Sequence, residues 1–155
     1  TLDADDRVWS PEMSMQVETI DSVTPSPDGV WVAYTRTRSV MEEEKSEMVT
    51  QIHVARSNGS RQFQLTSGEQ SSTSPAFSPD SRYVYFLSRR SGEPNVWRIA
   101  IDGGEAQQVT VWEGSIGGFH VSPDGRWLAI RGRKKDAQLE KAKKEKLDFI
   151  VVGEK

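Results

Sequence analysis

Ser78 to Thr110, SPDSRYVYFLSRRSGEPNVWRIAIDGGEAQQVT, is the stretch whose reading decides the fold. It reads as a tight turn, a strand, a hairpin, a strand, a second turn and a last strand, and parts of it recur on both sides. Ser26-Pro27-Asp28-Gly29 precedes VWVAY, Ser78-Pro79-Asp80-Ser81 precedes RYVYF, and Ser122-Pro123-Asp124-Gly125 precedes RWLAI. The motif starts lie 52 and 44 residues apart. A second marker, Leu65-Thr66 and Val109-Thr110, keeps each Thr 12 residues ahead of the next Ser-Pro-Asp. One constant and one variable spacing describe a rigid unit joined to a hairpin of variable length. A period in the forties built from strands is the signature of propeller blades.

Each turn has a mechanism. Pro presets φ at the second position, Asp accepts backbone hydrogen bonds, and Gly takes the positive φ that closes it. Ser81 stands where the other copies have Gly, so that turn is expected to be strained or of another type. After the turns, Trp31/Tyr83/Trp127, Val32/Val84/Leu128, Ala33/Tyr85/Ala129 and Tyr34/Phe86/Ile130 fall into columns. Consecutive apolar positions predict strands covered on both faces, as when one sheet is stacked between two others. Third strands are expected at Gln51–Ala55 and Asn95–Ile99, and fourth strands at Gln62–Thr66 and Ala106–Thr110. Gln16–Thr24 fits a short strand or a helical turn, with Val17, Ile20 and Val23 inward.

The first repeat is eight residues longer than the second, which places an insertion at Val40–Met48, between its second and third strands. The third repeat starts near Gly117 and is interrupted by Arg133–Lys146, RKKDAQLEKAKKEK. This segment suits a basic arm for an anionic partner or, the preferred reading, a solvated hairpin extension, because its lysines alternate with acids. Phe149–Val152 then supplies a third strand. The expected organisation is all-β: a partial β-propeller of about three four-stranded antiparallel blades. It comprises a lead-in over 1–13 anchored by Trp9, a first blade over 14–66, a second over 67–110 and an incomplete third over 111–155.

Composition sets the bounds. The 155 residues are 35% hydrophobic and 28% charged with a net charge of −3, a balance that excludes a general nucleic-acid or anionic-membrane binder. There is no cysteine and hence no disulfide framework. No apolar run approaches the roughly 18 residues of a membrane span. The sequence begins at Thr1, so it is read as part of a longer product, with further blades or self-association through open blade edges completing the ring.

Taken together, SPDG-x-WVAY, the Leu-Thr marker, Gly103-Gly104-Glu105-Ala106-x-x-Val109-Thr110 and Pro75-x-Phe77-Ser78-Pro79-Asp80 resemble one family. It is the amino-terminal β-propeller of prolyl-oligopeptidase-family serine peptidases, in the acylaminoacyl-peptidase and dipeptidyl-peptidase-like branch. The resemblance covers about residues 14–155. It implies a propeller that caps a carboxy-terminal α/β-hydrolase domain, admits short or unfolded peptides and contacts their amino end. The chemistry would be acyl transfer by a Ser-His-Asp triad. These residues contain no Gly-x-Ser-x-Gly nucleophile elbow, so no catalytic residue carries over, and no cofactor or metal site is assigned. A rival is the interaction propeller of the Tol translocation system, whose blades also carry SPDG and Leu-Thr.

Few residues offer a site. His53 and His120 fall at ordinary strand positions, which favours structural or surface roles. Glu42, Glu43 and Glu44, with Glu47, are candidates for contact with a peptide's amino end, against the default of a solvated loop. Arg89 and Arg90 are expected to face a cleft or the solvent.

Overall fold

The computed structural model describes residues 13, 16–42 and 45–135, with backbone only at 41, 42, 45 and 46. Within them run ten strands: β1 (Thr19–Pro25), β2 (Trp31–Glu42), β3 (Lys45–Arg56), β4 (Gln62–Gln64), β5 (Ser72–Phe77), β6 (Tyr83–Ser91), β7 (Glu93–Ala100), β8 (Gln107–Gln108), β9 (Gly114–Val121) and β10 (Leu128–Lys134). They form a four-stranded sheet β1-β2-β3-β4, a second β5-β6-β7-β8, and a pair β9-β10. Every pairing is antiparallel between strands consecutive in sequence. This is a partial β-propeller, the fold class the repeats predict.

The three turns are built identically. Ser26 Oγ donates to Asp28 Oδ1 at 2.5 Å, and that oxygen also accepts the Val30 N–H at 3.0 Å. The Ser26 hydroxyl in turn accepts the Trp31 N–H at 2.9 Å. The same three bonds join Ser78, Asp80, Arg82 and Tyr83. They recur among Ser122, Asp124, Arg126 and Trp127. Ser81 does adopt a strained conformation, at φ +59° beside +70° at Gly29 and +69° at Gly125, but the turn type does not change. Its hydroxyl accepts the Asp28 N–H at 3.2 Å, tying the second turn to the first.

The Leu-Thr marker ends the fourth strands rather than belonging to them. Sequence alone extends these strands to Thr66 and Thr110, whereas the ladders stop at Gln64 and Gln108. Beyond them the Thr66 hydroxyl accepts the Ile52 N–H at 2.9 Å and donates to Gln51 Oε1 at 2.7 Å. Thr110 makes the same clasp on Val96 and Asn95, at 2.9 and 2.8 Å. A side-chain hydroxyl thus replaces a backbone partner where the chain leaves the sheet.

The sheets stack face to face. Ala33, Ile52 and Val54 of the first sheet meet Val84, Phe86 and Ile99 of the second. On the opposite face of that second sheet, Val96, Tyr85 and Leu87 pack with Ile116, Phe119 and Ile130 of the third. Successive β6 residues therefore enter different cores, and two-sided burial holds for the second sheet. It fails at Trp127, 72% exposed, and at Ala129. Trp31 is covered by Phe63 from β4 and by the Arg56 guanidinium, and Tyr83 by that of Arg98. These covers come from third and fourth strands, and the described part of the third sheet has two strands only.

Two further expectations change. Ile20 and Val23 are 60% and 64% exposed and Val17 is exposed as well, so none of the three points inward. β1 is a sheet edge, and a bulge at Ser22 (φ +52°) interrupts its alternation. Val40–Met48 is not a loop over its described backbone. The β2–β3 ladder continues in register out to Glu42 paired with Lys45, making a long two-stranded arm. The lead-in with Trp9, most of Arg133–Lys146 and the expected strand Phe149–Val152 lie outside the described residues.

Candidate functional site

The first strands of the three sheets, β1, β5 and β9, each carry a one-residue register shift against the next strand. In β1 and β5 the shift coincides with Ser22 and Ser74, at φ +52° and +54°. Both stand four residues before the Ser-Pro-Asp turn, where the third repeat has Gly118. In β9 the unpaired residue is Gly117, one position earlier, and the three irregular strands share a cleft of about 710 Å³. Val23, Thr24, Pro75, Phe119, His120 and Arg131 are among its walls. The Thr24 hydroxyl donates to the Pro75 carbonyl at 3.3 Å across β1 and β5, and Arg131 Nη2 donates to the Gly117 carbonyl at 3.2 Å.

This cleft holds Ser22, Ser74 and His120, yet no hydrogen bond joins the imidazole to either hydroxyl among the described residues. A nucleophile needs a base within hydrogen-bond reach and an acid orienting that base. Among the described residues of this cleft no such nucleophile–base pair is assembled.

A second cleft, of about 420 Å³, lies where the β2–β3 arm meets the second sheet. Glu47, Glu69 and Arg89 rim it above Leu87 and Ile116. Of the acidic candidates, Glu43 and Glu44 lie outside the described residues. Glu42 is described by its backbone alone, paired with Lys45. Arg89 faces a cleft, as one of the two expectations for it had it. Arg90 instead inserts between sheets, with its guanidinium 5.1 Å from the Phe86 ring centre and 5.3 Å from that of Trp97. The tandem basic residues sit on opposite faces of β6, which the period-two geometry of a strand dictates.

His53 stacks on Tyr34 with ring centres 5.6 Å apart. Burial holds its pKa below the ordinary value, helped by Arg36 and opposed by Glu18. Those two flanking residues pair with each other. The carboxyls of Asp28, Asp80 and Asp124 are held below their ordinary range chiefly by the serine hydroxyl of each turn, then by a backbone N–H. Among the described residues no group of His, Asp and Glu has the geometry of a metal site. Sequence reasoning missed the bulges; their only signal was the matching Ser22 and Ser74, since the β9 shift falls at Gly117 and not at the aligned Gly118.

Comparison with known proteins places these features. Residues 22–150 match the family described as the TolB β-propeller domain. Dipeptidyl-peptidase 5 of Porphyromonas endodontalis is 30% identical over 143 residues, covering 92% of this chain and 20% of its own length. The acylaminoacyl peptidase of Pyrococcus horikoshii superposes with a TM-score of 0.66 over 94% of this chain and 21% of its own, at 19% identity, a likeness of fold. The structure described as a TolB of Agrobacterium tumefaciens gives a TM-score of 0.59 at 25% identity, over 79% of this chain and 40% of its own. The chain spans about a fifth of the length of the curated peptidase it matches.

Proposed function

The chain belongs to the TolB-type β-propeller domain family, and on that premise we propose that it is the non-catalytic propeller portion of a prolyl-oligopeptidase-family serine peptidase. In this reading it gates and positions peptides for a carboxy-terminal α/β-hydrolase domain, with 14–66, 67–110 and 111–155 as successive blades. The observation that carries it is the 30% identity to a dipeptidyl-peptidase over 92% of the chain. In this reading the cleft lined by the bulged first strands is where the peptide passes. Peptide is then the partner, reached through the parent enzyme.

The chain expressed alone should turn over no chromogenic dipeptidyl or acylaminoacyl substrate. Turnover that survives repurification and is abolished by a serine-reactive inhibitor would overturn the non-catalytic assignment. Reading the gene beyond Lys155 tests the rest. A Gly-x-Ser-x-Gly followed by Asp and His is the expected result; a stop after a few more blades refutes the peptidase reading.

The likeness to a TolB, which this chain covers for 40% of that chain, favours a second reading: an interaction propeller with no enzymatic domain. The same downstream sequence separates the two.

A further inference from the structure

The cleft shared by β1, β5 and β9 carries basic groups and no acidic one. Arg131 and His120 stand in its wall, and among the described residues that line it there is no Asp or Glu. Arg131 is exposed, and among the described residues its guanidinium meets no carboxylate. Its Nη2 donates to the Gly117 carbonyl at 3.2 Å, a neutral partner that leaves the other donors of the fork uncommitted.

The same cleft has an apolar wall that the protein's own core does not use up. Val23 and Ala129 are exposed there, and Ile130 is half-buried. Backbone is on offer as well, because β1, β5 and β9 each pair on one side only. In β9, Gly118 pairs with Arg131, and its φ is not positive. A Cβ there would meet only the Arg131 guanidinium, at 3.6 and 3.9 Å, which is ordinary contact. Nothing among the described residues therefore requires glycine at 118, and a bare strand position gives another backbone room to approach.

We infer that this cleft selects an extended peptide segment in which an acidic side chain stands next to an apolar one. The carboxylate meets Arg131, and the apolar group lies against Val23, Ala129 and Ile130. A segment carrying lysine would bring like charge to Arg131 with no carboxylate in the wall to offset it. The inference rests on the reading of this cleft as the peptide's path and adds the charge that the path prefers.

The test titrates the ¹⁵N-labelled chain with three capped peptides, acetyl-Ala-Leu-Asp-Leu-Ala-amide and its counterparts with Asn or Lys at the centre, at one low ionic strength. The amides of Ser74, Gly118 and His120 should shift saturably. The Asp peptide should bind about two- to fivefold tighter than the Asn peptide, the size of one solvent-exposed ion pair, and the Lys peptide weakest. Arg131→Gln, an exposed change, should bind the Asp and Asn peptides alike, and Arg131→Glu should reverse the order so that the Lys peptide binds tightest. Saturable shifts with equal affinity for Asp and Asn on the parent chain overturn the charge preference and leave the peptide path standing. No saturable shift with any of the three overturns both. An Asp preference that survives Arg131→Gln, or an order that Arg131→Glu leaves unchanged, overturns the assignment to Arg131.

Discussion

Replacing Thr66 with Val removes one hydroxyl and almost no volume, and the two repeats make the consequence calculable. Thr66 is 2% exposed, and its Oγ1 is the partner of the Ile52 N–H and of Gln51 Oε1. Both partners are buried, and each buried polar group left unmatched costs about 1–3 kcal/mol. Gln51 keeps its Nε2 bonds to the Gly68 and Gln70 carbonyls, so its amide cannot turn to compensate. The sum is about 2–6 kcal/mol, a large share of the roughly 5–15 kcal/mol that holds a domain together. Thr110→Val removes the same clasp from a half-buried site, where water can replace the hydroxyl, and should cost about 0.5–1.5 kcal/mol. Thr66→Ser keeps the hydroxyl and loses a methyl, for about 1 kcal/mol. Urea unfolding followed by tryptophan fluorescence reads all three. With a slope near 1–3 kcal/mol/M, Thr66→Val should lower the midpoint by about 1 M or more at unchanged slope. If Thr66→Val proves no worse than Thr110→Val, burial of the clasp is not what sets its worth, and the reasoning fails.

Ser81→Ala should destabilise by about 1 kcal/mol, because it keeps the positive φ and loses the bond from the Asp28 N–H. Ser81→Gly should come out near neutral, relief of about 1 kcal/mol of left-handed strain offsetting the lost bond; equal stability of the Ala variant and the parent would contradict this. Asp28, Asp80 and Asp124 have pKa values depressed below 3.8 in the folded chain, so their contribution is fully present above that value and is lost as pH falls through the folded values. Urea midpoints should therefore drop in acid, and a variant with all three changed to Asn should show a shallower drop. An unchanged acid profile would discard the turn carboxylates as its cause.

The sequence made the repeat, the stacked sheets and the turns legible because these rest on local rules. Ser, Pro and Asp at fixed offsets specify their own hydrogen bonds, and Val84-Tyr85-Phe86-Leu87 can be buried consecutively only if both faces are covered. What stayed hidden depends on position in the assembly. Ile20 and Val23 look like core residues, yet they belong to an edge strand bent by a bulge. Trp127 shares a column with Trp31, but its exposure depends on whether outer strands reach it. Arg90 reads as a surface residue from its type, while period-two alternation sends it between the sheets. The clefts were the least legible, because each is formed by residues of different repeats.

The serine–aspartate lock of each turn spans five residues or fewer, and the threonine clasp reaches back only 15. Every sheet therefore carries its own fasteners within one stretch of gene. A duplication or deletion whose two breakpoints fall at matching places in neighbouring repeats would leave each fastener whole. Blade number is then a quantity that a single unequal crossover can change, while the seams between blades, where Ser81 reaches Asp28 and Thr24 reaches Pro75, diverge one substitution at a time.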